Sequence, residues 1–360
     1  MKASMSGQLM FTPDLENRFS KARLRQAIRT VHLLLVNVRW RGPVMTRRQF
    51  EAAALATVLT ASVEARATSE VIARQAPAHY RLSVDGLRIT ALCDGYLNLA
   101  HTLFPAATEQ HASELAHAAF LTPGPLPTAV NAFAVEAGGR LILIDAGVGP
   151  SRGDTLGRLP AEMRAAGLDP ALVAAVLLTH LHTDHCGGLL DADGQPVFPN
   201  AEILVAEPEW QFWSDPGLAA RAPAAMRPMI SVANQALGAY RQRITRFMPG
   251  TEPIPGIRSV ALAGHTPGHT GFILGSSNDA VFIWADIVHV ASYQFPRPEW
   301  GLSFDVDQTA AADMRARTFA QAAGDRLRVA GMHLAFPGIG HVVRDGAGFR
   351  YLAEDWRPLR

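Results

Sequence analysis

The chain has 360 residues, 48% of them hydrophobic and 18% charged, which is enough apolar material for a sizeable core in a single folded unit. A formal net charge of +1, with basic residues dispersed after the first fifty positions, gives no electrostatic case for nucleic acid as a partner. Two cysteines, Cys93 and Cys186, provide neither a disulfide framework nor a zinc-ligand spacing.

Near the N-terminus, Thr46-Arg47-Arg48-Gln49-Phe50 precedes an apolar stretch at 52–63, and Ala65-Arg66-Ala67 then offers the small residues of a cleavage site. That order resembles a twin-arginine export signal, and its apolar run is too short for a membrane span of ~20 residues, so no stable membrane insertion is expected. The expectation is an upstream extension at 1–44, a signal peptide at 45–67 and a folded domain at 68–360, in a periplasmic or secreted protein. The alternative is an amphipathic helix at the start of a cytoplasmic protein.

Further along, strand-like runs at 80–84 and 87–92 are separated by the turn pair Asp85-Gly86. Helical periodicity appears at 109–120, 156–166, 206–213, 226–240 and 309–323, and Pro-rich segments at 122–127 and 249–255 read as loops. The alternation of apolar runs and helices supports an α/β protein.

The chemistry is concentrated in Thr179-His180-Leu181-His182-Thr183-Asp184-His185, which follows an apolar run at 174–178. A lone histidine is more often structural than a ligand, but three imidazoles and a carboxylate within six residues indicate a metal site. Ligands two residues apart do not share a helical face, so the site belongs to a loop. Other apolar runs also end in ligand-type residues: 141–144 in Asp145, 260–263 in Gly264-His265-Thr266-Pro267-Gly268-His269, 280–285 in Asp286 and 329–332 in His333. Open α/β sheets place their sites at such strand ends.

Taken in order, these motifs resemble those of the metallo-β-lactamase-fold hydrolases, over roughly residues 78–356. The segments 128–147, 264–270, 284–295 and 333–341 are similar to the methyl parathion hydrolase-like branch, which is related to the quorum-quenching lactonases. The resemblance implies an αββα sandwich, two sheets packed between helices. It also implies two divalent metal ions, one held by His180, His182 and His269, the other by Asp184, His185 and His333, with Asp286 bridging them. His265 and His269 flank the same Pro-Gly turn and composition does not choose between them. The family pattern favours His269, leaving His265 with Asp145 among the groups that surround and orient the ligands. Imidazoles with few carboxylates suit zinc, although such a mixed site also accepts manganese, cobalt or iron. Cys186 matches no ligand position and reads as a buried thiol.

For function, the resemblance implies a metal-bridging hydroxide that attacks a neutral ester-type small molecule: a lactone, an aryl ester or an organophosphate triester such as methyl parathion. Asp286 would bridge the metals and Asp184 would be a proton source for the leaving group. His289 stands where related lactonases carry a tyrosine and would donate a hydrogen bond to the substrate carbonyl. Trp213, Phe295 and Phe304 are candidate pocket walls. A homodimer is a further implication of the resemblance. The alternative functions are a β-lactamase or a glyoxalase-type thioesterase, which act on charged substrates and would use Lys or Arg near the metals; none adjoins the motifs.

Overall fold

The computed structural model describes residues 78–358 except 151, 152 and 154, so the twin-arginine segment and the upstream extension lie outside the described residues. The chain enters through a hairpin of β1 (His79–Val84) and β2 (Leu87–Leu99), turned by Asp85 and Gly86 at positive φ, as a two-residue hairpin of this twist requires. β3 (Leu126–Ala137) and β4 (Arg140–Ile144) continue antiparallel, and β5 (Val173–Leu177), β6 (Glu202–Ala206) and β7 (Ile244–Phe247) follow in parallel, in the order β1-β2-β3-β4-β5-β6-β7.

A second sheet is built from β8 (Ile257–Ala261), β9 (Thr270–Leu274), β10 (Val281–Ile283), β11 (Arg328–Ala330), β12 (Ile339–Asp345) and β13 (Gly348–Ala353). Its spatial order is β13-β12-β11-β10-β9-β8, and only β10 and β11 run parallel.

Side-chain alternation makes these sheets a sandwich. In β4, Ile142 and Ile144 face the second sheet while Leu143 faces outward, and β6 divides likewise into Leu204 on one side and Ile203 and Val205 on the other. Between the sheets, Ile89, Phe133, Ile144 and Leu177 pack with Phe272, Leu274, Ile283 and Met332. On the outer face of the first sheet lie the helices Leu159–Ala165, Glu207–Trp213 and Arg227–Ala239, which contribute Met163, Trp213, Ile230 and Leu237. The helix Gln308–Gly324 covers the second sheet through Phe319 and Ala322 against Phe282, Val329 and Val342. The architecture is therefore αββα, with strands buried on both faces as the continuous apolar runs required. No described helix is long and apolar enough to cross a membrane.

Periodicity located the five longer helices to within a few residues but named no strand at 126–137, 202–206, 244–247, 270–274, 339–345 or 348–353. The last two form a hairpin whose outward positions are polar or half-exposed, which leaves little continuous apolar signal.

Candidate metal centre

The site stands where loops leave the carboxyl ends of β4, β5, β10 and β11, together with the loop between β8 and β9. A backbone bond from Thr270 N–H to the Thr179 carbonyl, 2.9 Å, ties the two sheets together beneath it. After β4 the chain turns at Asp145, with φ 60°, a left-handed conformation that Asp tolerates better than most residues. Its carboxylate accepts from Thr179 N–H at 2.8 Å and Thr179 Oγ1 at 2.7 Å, and its Oδ2 lies 2.7 Å from His185 Nδ1. Asp145 thus fixes the start of the His-rich loop and backs one of its imidazoles.

Within that loop His180 Nδ1 lies 3.0 Å from Thr179 Oγ1. The Thr179 proton is given to Asp145, so His180 donates there and its Nε2 is left free. His180 Nε2 is 3.1 Å from His182 Nδ1, which is 2.9 Å from His265 Nε2. Asp286 Oδ2 is 3.3 Å from His265 Nε2 and 3.5 Å from His180 Nε2. These four side chains form one potential ligand group, with Asp184, His185 and His333 a second. Asp286 also groups with His289 and His333.

The donor set fits divalent metal ions. Ligand atoms about 2.0–2.1 Å from a tetrahedral ion stand roughly 3.3–3.4 Å apart, close to the spacings found here. His182 Nε2, His185 Nε2, Asp286 Oδ1 and His289 Nδ1 are buried without a hydrogen-bond partner, a cost that few native sites carry unless something further binds. Burial holds His180 and His182 well below the usual imidazole range, which keeps their nitrogens unprotonated. Burial opposes the charge of Asp286, yet the imidazoles of His185, His333, His180 and His289 around it hold its carboxyl well below the usual range.

One expected assignment is reversed by this geometry. His269 was expected among the metal-facing imidazoles and His265 behind them. Instead His269 donates from Nδ1 to the Leu262 carbonyl at 3.0 Å, and its Nε2 accepts from Asp286 N–H at 3.2 Å. Both nitrogens are occupied by backbone, and burial pushes the group down to about 3, consistent with a neutral structural imidazole. His265 turns its Nε2 into the cluster and places Nδ1 2.6 Å from Asp305 Oδ1. Burial disfavours its charge, but hydrogen bonds to Asp286 and Asp305 lift it to about 9. The first residue of the pair therefore joins the donor group and the second holds the Asp286 backbone.

The remaining expected residues divide similarly. His333 is anchored by Nδ1–H to the Ala129 carbonyl of β3 at 2.8 Å, and its Nε2 points to Asp286 and Asp184 at 3.2 and 3.4 Å. His289 Nε2 lies 3.1 Å from Asp286 Oδ2, and its ring stacks on His333. Cys186 is fully buried, with Sγ 3.4 Å from the Leu181 carbonyl; burial pushes its thiol up.

A cavity of about 390 Å³ opens over Asp184, His265, Asp286, His289 and His333. Leu97, Leu99, Leu103, Met229 and Phe304 give it apolar walls, and no Lys or Arg is among the residues that line it. Phe304, 38% exposed, is in that wall. Trp213 and Phe295, expected to line the pocket, do not. Trp213 is 0% exposed, packed edge-on behind His182 with Nε1–H bonded to Glu209, and Phe295 is stacked between Phe319 and Tyr351 in the core. Both occur near the motifs, but each points to the core side of its own segment, a distinction that proximity in sequence does not carry.

Sequence reasoning also missed Glu209 and Asp305. Glu209 is fully buried and accepts from Leu181 N–H, Trp213 Nε1–H, Thr266 Oγ1–H and Gly268 N–H at 2.6–2.9 Å. It thereby joins the two His-bearing loops. A β-carbon at Gly268 would collide with the Glu209 backbone, so this approach needs a glycine. The lone Glu near Trp210 carried no motif, and only its burial reveals its role.

Fold and site together define a metal-dependent hydrolase of the αββα class. The chain belongs to the metallo-beta-lactamase superfamily, whose family model matches residues 125–333. No curated protein sequence matches it. Among solved structures it is similar to a hydrolase called AbOPH, of the beta lactamase superfamily, at 34% identity and TM-score 0.74, with 79% of this chain and 100% of that one covered. It is also similar to AidC, described as a dizinc quorum-quenching lactonase in complex with a product, N-hexanoyl-L-homoserine, at 26% identity and TM-score 0.73, covering 78% and 99%. A probable metal-dependent hydrolase from Staphylococcus aureus, 20% identical with TM-score 0.63 over 77% of this chain and 100% of that one, bears on the fold alone. These neighbours agree with the branch that the motifs indicated.

Proposed function

We propose that this protein is a dinuclear metal hydrolase of neutral, hydrophobic esters, with lactones and aryl esters as its main substrates and organophosphate triesters as related ones. The observation that carries the reading is the set of converging His and Asp donors at the floor of a cavity with apolar walls and no cation. His180, His182, His265 and Asp286 would hold one ion, and Asp184, His185 and His333, sharing Asp286, the other. Zinc suits this donor set, and AidC carries two zinc ions. When bound, such ions supply Lewis acidity and lower the pKa of water toward neutrality.

The chain's own groups would supply the rest. Leu97, Leu103, Met229 and Phe304 exclude water from the apolar part of the substrate, and Asp184, at the cavity surface, is placed to take up the proton that the attacking hydroxide gives up and pass it to the departing alkoxide. His289 lines the floor with Nε2 3.1 Å from Asp286 Oδ2, and with that carboxylate engaged by an ion its Nε2–H would be available to donate to the substrate carbonyl. The test is a parallel assay of metal-loaded protein on a lactone, an aryl ester, a phosphotriester and a β-lactam. The reading expects turnover of the first two at least, and fails if the β-lactam is the best substrate.

We also propose export through the twin-arginine route, on the strength of the Arg47-Arg48 motif and the small-residue site that follows its apolar stretch. Mass spectrometry of protein from the periplasm of the native host is expected to find a start near Thr68. Arg47→Lys with Arg48→Lys is expected to retain the chain in the cytoplasm. Intact chain from Met1 in the cytosol as the normal product would contradict export.

A further inference from the structure

Of the imidazoles facing the two donor groups, two have a carboxylate behind them. His185 has Asp145, at the end of β4, and His265 has Asp305, forty residues beyond it in a loop that contains none of the motifs. The remaining imidazoles whose outer nitrogen is paired use a hydroxyl or a carbonyl: His180 on Thr179, His333 on Ala129.

Asp305 is held as firmly as it holds. Its Oδ2 accepts from Leu302 N–H at 2.7 Å and stands 3.9 Å from the buried guanidinium of Arg315. Arg315 reaches in from the helix Gln308–Gly324 and donates to the carbonyls of Ile287, beside Asp286, and of Pro298 and Trp300. Two backbone bonds, Val306 N–H to the His265 carbonyl at 2.9 Å and Asp307 N–H to the Gly264 carbonyl at 3.1 Å, lay this loop along the His265 segment. Phe304, which walls the cavity, is the residue next to Asp305.

We propose that Asp305 is a positioning residue for the first metal position, fixing His265 with Nε2 as the donor atom and tying occupancy of that position to the order of the Phe304 wall. The inference rests on the metal-hydrolase reading above. Because Nδ1–H is committed to Asp305, His265 can present only Nε2 to an ion, and the ring has no freedom to turn away. An ion on His265 would fix the segment that accepts the Val306 and Asp307 hydrogen bonds, already formed at 2.9 and 3.1 Å, and so slow their opening. The apolar wall is therefore more ordered in the loaded protein than in the metal-free one.

Equilibrium titration of chelator-stripped protein with zinc, and with cobalt read by its visible absorption, tests this without any substrate. Wild type is expected to take two equivalents. Asp305→Asn, close in shape and still able to accept from Leu302 N–H, is expected to bind one of them about 10–100-fold more weakly while keeping the other within about threefold. The cobalt bands it loses should differ from those lost in Asp145→Asn. Two wild-type affinities and an unchanged spectrum in Asp305→Asn would overturn the inference alone; a wild type that takes up no metal would overturn it together with the metal-hydrolase reading. Should the variant not fold, hydrogen exchange on wild type decides. The Val306 and Asp307 amides are expected to slow on metal addition more than those of the β12–β13 hairpin, and equal slowing would refute the coupling.

Discussion

Asp286 Oδ2 has imidazole nitrogens of His180, His185, His265, His289 and His333 around it at 3.1 to 3.5 Å. One oxygen among five bases is an unstable arrangement for neutral rings without protons or a cation between them, and it locates the centre of the site on a single atom. Ala285, immediately before it, is buried at φ 51°, a left-handed conformation that costs a non-glycine residue about 1–2 kcal/mol, so the turn presenting this carboxylate is strained. His265 and His269 separate cleanly at this scale. His265→Ala is expected to lower metal content per chain by elemental analysis. His269→Ala is expected to keep more metal but lose about 2–4 kcal/mol of stability through the vacated space and the orphaned Asp286 N–H and Leu262 carbonyl. Greater metal loss from His269→Ala would restore the opposite assignment. His289, at the cavity floor, is predicted to serve the substrate through its Nε2–H. His289→Ala should lower lactone turnover by a factor equivalent to about 1–3 kcal/mol and leave a nitrophenyl phosphotriester less affected, since its leaving group needs little help. Equal losses on both would make His289 a structural or metal-linked group.

Loops at the carboxyl ends of parallel strands give the site its donors, and buried polar side chains set the distances between those loops. Glu209 spans the 180–185 and 264–269 loops with three hydrogen bonds, and Asn131 of β3 donates to the carbonyls of Gly331 and Leu334 on either side of His333. Glu209→Gln keeps the volume but turns an NH2 toward the two donors that one carboxylate oxygen had served, so both lose that acceptor. A loss of about 1–3 kcal/mol in thermal or denaturant unfolding is expected, with weaker metal retention. A variant as stable as wild type would show that the loops hold their spacing without the clamp. This is also where the sequence stops being informative. The runs ending in Asp145, His180, Asp286 and His333 were legible because a doubly buried strand is continuously apolar and its polar exit is abrupt. Glu209 and Asp305 were not, because an isolated carboxylate in a helix or loop looks the same whether it faces water or bridges two distant segments. The His265 and His269 pair failed for a related reason: one ring is turned inward and the other backward by a single Pro-Gly turn, and only the backbone path distinguishes them. Aromatic residues misled in the other direction, since Trp213 and Phe295 supply core volume and Phe304 alone reaches the cavity.

Across the molecule, the distribution of charge bears most directly on what enters. The cavity presents two carboxylates, Asp184 and Asp286, and no Lys or Arg, while the basic side chains that pair in the described structure do so elsewhere, Arg88 with Glu136 and Arg246 with Glu207 among them at the surface. An exposed pair of that kind contributes little and offers nothing to a substrate inside the cavity. Bound divalent ions would offset the two carboxylates, but a substrate carboxylate lying against the walls of Leu97, Leu103 and Met229, away from the ions, would be desolvated with no partner. A neutral aryl ester and an analogue with a carboxylate on its acyl group should therefore separate in kcat/KM by about tenfold or more, equivalent to roughly 1.4 kcal/mol or above, mainly through KM. Replacing Met229 by Arg should narrow that ratio by giving the anion a partner, without altering metal content. If wild type hydrolysed the anionic analogue as well as the neutral ester at high ionic strength, where long-range attraction is screened, the apolar wall would not select for neutral substrates, and a thioesterase or β-lactamase activity would become the better account.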